Sequence, residues 1–325
     1  MPDPPTIVVT GAAGFIGSNL CRMLLGEGYR VRGIDNLSAG TLENVPASVD
    51  FVRADIRDLR ALEPILRGAQ AVFHLAAKNC LADCLQDPAE TAAVNVFGTA
   101  NVLQACLSNK IQRFIYADTS AEYEGIRDFP TPVDSVAPLG PYAISKRAGW
   151  MFCDAFARWK GLRLTTLRYF NVYGPAQDYR RTIPPVVSAF ALKLLSGQRP
   201  VIYGTGEKRR DFIYVDDVNR FHLLCLRDER TLGKIYNSGS GVNHSVQEVF
   251  DVVEGILRSG LSPVFKPELP GEAAVTLADL SHERALGWEP QVEFRKGVEL
   301  SIEYLREKLS DQSSRSGRGA GNAAR

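Results

Sequence analysis

Short runs of β-branched and aromatic residues alternate with amphipathic stretches through the first half of the chain. The runs TIVVT (6–10), RVRGID (30–35), DFVRA (50–54), AVFHL (71–75), RFIYA (113–117) and LRLTTLRY (162–169) predict strands. Segments near 15–27, 58–67, 89–108 and 142–159 carry apolar residues at helical spacing and predict helices. Strands of nearly continuous apolar character, separated by helices, predict a parallel sheet covered on both faces.

The texture changes after residue 172. GPAQDYRRTIPP reads as a loop, VVSAFALKLLSG (186–197) as a helix, and short elements follow up to KGVELSIEYLREKL (296–309). The expected organisation is one α/β unit over 1–171 and a smaller α/β lobe over 172–309, with 210–220 packing back onto the first unit. The end of the chain, 310–325, is rich in Ser, Gly and Arg and nearly without apolar residues, so a loose tail is expected there.

Composition narrows the function classes. Of 325 residues, 45% are apolar and 23% charged, and the formal net charge is +1, which gives no push toward nucleic acid or an anionic membrane. No stretch reads as a signal peptide or membrane span. Six scattered cysteines without a CxxC pair, and four scattered histidines, suggest core thiols of a cytoplasmic protein rather than disulfides or a metal site.

VVTGAAGFIG (8–17) sets Gly11, Gly14 and Gly17 after a strand and at a helix start. Gly11 suits a tight turn, Gly14 close approach of a pyrophosphate, and Gly17 close packing of helix on sheet. The helix start, with Phe15 and Ile16, presents free N–H groups to phosphates. Asp35 ends the second strand, where a carboxylate accepts hydrogen bonds from a ribose diol and repels a 2′-phosphate; this predicts NAD rather than NADP, on a Rossmann-type doubly wound sheet. Asn36 belongs to the same wall. Asp55 and Ile56 follow the third strand, where an adenine could sit, although Asp55 reads equally well as a helix N-cap. Leu75, Ala76 and Ala77 close the fourth strand with room for a dinucleotide.

PYAISK (141–146) places Tyr142 and Lys146 four residues apart, on one helix face. An ammonium beside a phenol favours the phenolate, so Tyr142 is expected to serve as a general base.

These motifs, with HLAA (74–77), VNVFGTANVL (94–103), LRYFNVYGP (167–175), RRDFIYVDDV (209–218) and LGWEP (286–290), resemble the extended short-chain dehydrogenase/reductases, on the nucleotide-sugar epimerase/dehydratase branch, over about residues 6–290. The resemblance implies Thr119, Tyr142 and Lys146 as catalytic residues. It implies Asn95 and Tyr169 at the cofactor, and Ser120, Asn171, Tyr203, Arg210 and Thr276 at the substrate. It implies a homodimer through the helices near 89–108 and 142–159.

The expected activity is NAD-dependent 4-epimerisation of a UDP-hexose through a 4-keto sugar. A small residue at Thr276, where enzymes limited to UDP-glucose and UDP-galactose are bulky, leaves room for UDP-GlcNAc and UDP-GalNAc. The alternatives are a dehydratase or reductase of the same branch, or a non-catalytic NAD sensor. Familiar dehydratases follow the catalytic Thr with Asp-Glu, whereas Ser120 and Ala121 stand here. Glu122 and Glu124 depart from the family's apolar residue and Gly; Glu122 reads either as a displaced acid/base or as an exposed or ion-paired side chain. Asp118 reads as a turn cap, and Lys78, Asn79 and Cys80 form an unusually polar loop. Leu269 replaces a phosphate-binding Arg, and Trp150 a Glu.

Overall fold

The computed structural model describes residues 4–181, 184–268 and 273–320, with side chains to residue 311. The expected departure at Leu269 lies outside the described residues.

Six strands of the first half form where the hydrophobic runs lie: β1 (Thr6–Thr10), β2 (Arg30–Asp35), β3 (Asp50–Arg53), β4 (Ala69–His74), β5 (Arg113–Thr119) and β6 (Leu164–Tyr169). The second half contributes β7 (Asn171–Tyr173), β8 (Val201–Tyr203), β9 (Arg209–Tyr214), β10 (Lys234–Ser238), β11 (Asn243–Ser245) and β12 (Val264–Lys266). A seven-stranded sheet in the order β10-β6-β5-β4-β1-β2-β3 runs parallel throughout. Its central residues, such as Val8, Phe73 and Ile115, are fully buried, as expected for strands covered on both faces. The reversal of strand order between β1 and β4 opens a crevice at the C-terminal strand ends, where doubly wound sheets bind ligands.

The covering helices of the first half are α1 (Phe15–Gly26), α2 (Leu59–Ile65), α3 (Leu81–Gln86), α4 (Pro88–Ala92), α5 (Thr99–Ser108) and α6 (Pro141–Lys160). The predicted helix over 89–108 is interrupted by a π-helical turn at Ala93–Gly98, and α3 was not expected. The remaining helices are α7 (Val186–Leu195), α8 (Val215–Arg227), α9 (Val246–Leu257), α10 (Ser281–Ala285) and α11 (Phe294–Ala320).

The return of the chain to the first unit is larger than 210–220. Segment β9 pairs with β7 and β11 in a three-stranded sheet, α8 packs on α1, and β10 joins the main sheet beside β6. The short run KIYNS carries too few apolar residues to announce that last strand; its pairing with Thr165–Tyr169 decides it. The loose tail also fails in part, because α11 continues through Ala320. Its first turns are anchored by buried Val298, Ile302 and Leu305, and a helix so nucleated extends at one hydrogen bond per added residue.

Candidate active site

A cleft of about 1270 Å³ lies over the C-terminal ends of β1, β2, β4 and β5 and is closed on its far side by residues 176–181 and α11. The glycine turn forms its floor. Gly11 has φ +73°, and a Cβ there would meet the Ala76 nitrogen at 2.9 Å. A Cβ on Gly17 would stand 2.1 Å from the Gly11 carbonyl oxygen. Both positions therefore require glycine, and the clash at Gly17 arises within the turn itself rather than against the sheet. Helix α1 has no side-chain cap and no acid in its first turn, so its leading N–H groups and dipole face the cleft uncompensated.

Asp35 accepts from the Ala13 amide at 3.0 Å and from the Leu37 amide at 2.7 Å. These bonds aim the carboxylate along the glycine turn. Burial raises its pKa, and the two amides oppose the rise. Uncapped amides for a diphosphate and an oriented carboxylate for a ribose fit a dinucleotide. Asp55 is not the cap of α2; Asp58 takes that role through the Ala61 amide. Instead Asp55 accepts from Asn36 at 3.0 Å and from the Arg57 guanidinium at 2.9 and 2.7 Å, which holds its pKa well below the usual carboxylate range.

Every residue expected at the cofactor lines the cleft except Asn95, which stands behind it. Asn95, in the π-helical turn, donates to the Lys78 carbonyl and the Ser145 hydroxyl, each at 2.9 Å, and accepts from the Lys78 amide at 2.8 Å. Ser145 in turn donates to the Tyr142 carbonyl at 2.8 Å. A π-turn at this place ties the loop after β4 to the catalytic helix. Sequence reasoning missed the continuation of this network through His74. Thr99 donates to the Asn95 carbonyl, so His74 must donate to Thr99 from Nε2 and accept at Nδ1 from Thr10. Burial keeps that imidazole neutral, with a pKa lowered to about 3.

Thr119, Tyr142 and Lys146 meet in the same cleft. The Thr119 hydroxyl accepts from the Ala121 amide at 3.1 Å and stands beside Tyr142, whose ionisation it favours. Lys146 is buried with its ammonium 4.1 Å above the Tyr116 ring, and burial lowers its pKa. Without the positive charge of a bound nicotinamide, burial outweighs the expected help from Lys146 at Tyr142. Burial dominates and pushes the phenol up; the Thr119 bond and the Arg181 charge oppose it. Tyr142 thus holds its proton in the protein alone.

The substrate residues fall into a second group, off the cleft wall. Asn171 donates to the Asp211 carbonyl at 3.0 Å and to Thr276 Oγ1 at 3.4 Å, and Thr276 accepts from the Asp211 amide at 3.1 Å. Arg210, beside Asp211, donates to the Arg209 carbonyl at 3.0 Å. Tyr203 is exposed on β8, and Ser120 does not line the cleft. Residues 178–181 do line it and were not anticipated: Arg181 donates to Asn79 Oδ1 at 3.0 Å across the cleft.

Neither glutamate of the Thr119 loop reaches the reacting space. Glu124 accepts from the Leu139 and Gly140 amides at 3.2 and 2.8 Å, holding the start of α6 with a favourable dipole. Glu122 is fully buried and accepts from Arg168 at 3.0 Å, so of its two expected roles the ion pair is the one realised, without the exposure. Asp118 is not a turn cap; it accepts from Arg168 Nε at 3.0 Å. The signal for Arg168 was a charged residue inside an apolar strand, and the register places it directly opposite Asp118. Trp150 packs under the Arg147 guanidinium at 4.1 Å.

Among the described residues, no group of three or more His, Cys, Asp or Glu could hold a metal ion, and no helix is long and apolar enough to cross a membrane. The NAD dependent epimerase/dehydratase family matches residues 7–239. A putative UDP-glucose 4-epimerase of Methanocaldococcus jannaschii is 32% identical over 304 residues, spanning 92% of this chain and 98% of that one. The crystal structure of a Thermotoga maritima UDP-glucose 4-epimerase with UDP-glucose superposes with a TM-score of 0.90 at 36% identity, covering 94% of this chain and 99% of the other. A Bacillus cereus UDP-glucuronic acid 4-epimerase, in complex with UDP-glucuronic acid and NAD, gives a TM-score of 0.86 at 30% identity over 93% and 99%. The chain therefore belongs to the NAD-dependent epimerase/dehydratase family, among its UDP-sugar 4-epimerases, and is an isomerase that works with NAD.

Proposed function

We propose that the protein interconverts UDP-hexoses at C4, with UDP-glucose and UDP-galactose as the primary pair and UDP-GlcNAc and UDP-GalNAc also accepted. One observation carries the choice of reaction: Glu122 and Glu124 are committed to Arg168 and to the start of α6, so neither loop glutamate joins Thr119, Tyr142 and Lys146 in the cleft as an elimination acid or base. A 4,6-elimination needs a further acid and base at C5 and C6, and Ser120 and Ala121 supply neither.

Gly11, the first turn of α1 and Asp35 would hold NAD, with Asn36, Ala76 and Tyr169 along its wall. Bound in the oxidised form, NAD supplies the oxidation and re-reduction of the sugar carbon and a positive charge beside Tyr142. The protein's own work is proton handling. Tyr142 accepts the C4 hydroxyl proton, Thr119 holds the sugar oxygen through its hydroxyl, and the Lys146 ammonium favours the phenolate. Asn171, Arg210 and Tyr203 would orient the uridine diphosphate, and Thr276 sets the space at C2.

The dimer is supported by α6, where Ile144, Met151 and Trp159 are exposed at spacings of seven and eight, with exposed Leu81, Leu85 and Phe97 as further apolar surface on α3 and the π-helical turn. Sedimentation at the mass of one chain would refute it.

Purified protein incubated with UDP-, dTDP- and GDP-hexoses tests the reaction. The expected product is the C4 epimer of a UDP-sugar, of unchanged mass. A product lighter by one water identifies a dehydratase, and one heavier by two hydrogens a reductase.

A further inference from the structure

The underside of the Thr119 loop holds two carboxyl groups on one guanidinium. Arg168 offers Nε to Asp118 Oδ2 and Nη2 to Glu122 Oε2, each at 3.0 Å. These nitrogens form the parallel fork that ordinarily takes both oxygens of one carboxylate. Dividing the fork sets two carboxyl groups side by side. Its remaining nitrogen is spent on the Tyr123 hydroxyl and the Val133 carbonyl, at 2.9 and 2.7 Å. The other oxygens, Asp118 Oδ1 and Glu122 Oε1, are fully buried and have no hydrogen-bond partner among the described residues.

Two adjacent orphan acceptors cannot satisfy one another without a donor. We propose that Asp118 and Glu122 share one proton beneath Thr119, and that its loss at alkaline pH adds a second negative charge under Tyr142 and Lys146 and slows turnover. The kinetic half rests on Tyr142 as the base of the proposed reaction; the shared proton does not.

A hydrogen bond between the two carboxyls satisfies both orphans at once, and it joins burial and the Asp118 charge in raising the Glu122 pKa to about 8. Arg168 and Arg147 oppose that rise. The Arg147 guanidinium lies 3.6 Å from Glu122 Oε2, beyond hydrogen-bond distance, and is engaged on the Trp150 ring, so it does not replace the donor missing at Oε1. The groups that face the pair are Tyr142, Lys146, Arg147 and Cys153 from α6, Arg168 and Tyr169 from β6, and Tyr116 and Tyr123.

The sign of the effect follows. Below the titration the pair carries one negative charge, balanced by Arg168. Above it the pair carries two, and the added charge holds the Tyr142 proton more tightly, which disfavours the base. The family's usual apolar residue at position 122 would lack this group altogether.

Infrared difference spectra of the NAD-loaded protein between pH 6 and pH 10 test the proton directly. Glu283, Asp211 and other buried carboxyls with raised pKa contribute protonated-acid bands of their own, so the comparison is with Glu122→Gln. The wild type should show one more band that vanishes with rising pH than the variant does. Its amide can donate to Asp118 and accept from Arg168, so folding is expected. An unchanged set of bands in Glu122→Gln overturns the shared proton. Turnover of the wild type should fall roughly threefold or more between pH 7 and 9, and Glu122→Gln should flatten that fall. A lost band with an unflattened profile overturns the kinetic role. The extra band in a wild type that epimerises no sugar upholds the proton and refutes the proposed reaction instead.

Discussion

The cleft and the group of residues beside it are made of different material. In the cleft, the part that fits a dinucleotide is largely backbone, with Asp35 as its oriented side chain: a turn in which Gly17 has no room for a Cβ and a helix start without a side-chain cap. In the group beside it, proposed for the sugar, the side chains of Asn171 and Thr276 meet across 105 residues on the backbone of Asp211. A backbone site offers one solution and admits little substitution. A site of side chains on a shared frame can change its ligand one residue at a time. This accounts for neighbours of closely similar fold whose names carry UDP-glucose in one case and UDP-glucuronic acid in another.

The sharpest way to separate the chemistry from the backbone site is to damage each alone. Tyr142→Phe removes the proton acceptor and leaves the glycine turn untouched. Turnover on UDP-glucose should fall by about 10²–10⁴-fold, while NAD stays bound through gel filtration. Near-normal turnover would remove Tyr142 from the mechanism. Gly17→Ala does the opposite. Its Cβ meets the Gly11 carbonyl oxygen inside the turn, where only backbone movement can relieve it. Overpacking of this kind costs about 1–3 kcal/mol of stability, and NAD should be lost on desalting. Retained NAD and an unchanged melting temperature would show that the turn is looser than its geometry implies.

The same division governs what could be read from the sequence. The glycine spacing, Asp35 and the Tyr142–Lys146 pair are local patterns, and six of the seven main-sheet strands follow from hydrophobic runs. What escaped depends on pairing. Strand β10 is fixed by β6, 69 residues earlier, rather than by its own composition. Arg168 was hidden because its purpose lies in the neighbouring strand, opposite Asp118. Read alone, each is an odd charge in an apolar run. Together they are a buried ion pair, the ordinary way such charges survive burial. Glu122 was ambiguous for the same reason, since exposure and an ion pair to Arg168 leave the same letter in the sequence. His74 carried a weak signal, a polar residue closing a buried strand, but its partners Thr10 and Thr99 lie 64 and 25 residues away.

The smallest expected effect concerns Thr276, where the comparison can be made to fail in an informative way. As a gate, Thr276 matters through its size, and Thr276→Tyr should lower kcat/KM for UDP-GlcNAc about tenfold more than for UDP-glucose, a difference of about 1.4 kcal/mol. As a support, it matters through its oxygen, which accepts from the Asp211 amide at 3.1 Å and from Asn171 at 3.4 Å. Losing that acceptor would disturb Asn171 whatever the sugar, and both substrates would suffer equally. The two roles separate with Thr276→Val, which keeps the size and discards the oxygen. If Val leaves both substrates intact and Tyr rejects only the N-acetylated one, the side chain is a gate. If Val depresses both and Tyr discriminates between neither, position 276 belongs to the frame, and the choice of sugar must be sought among the residues that line the cleft itself, beginning with Asn79 and Arg181.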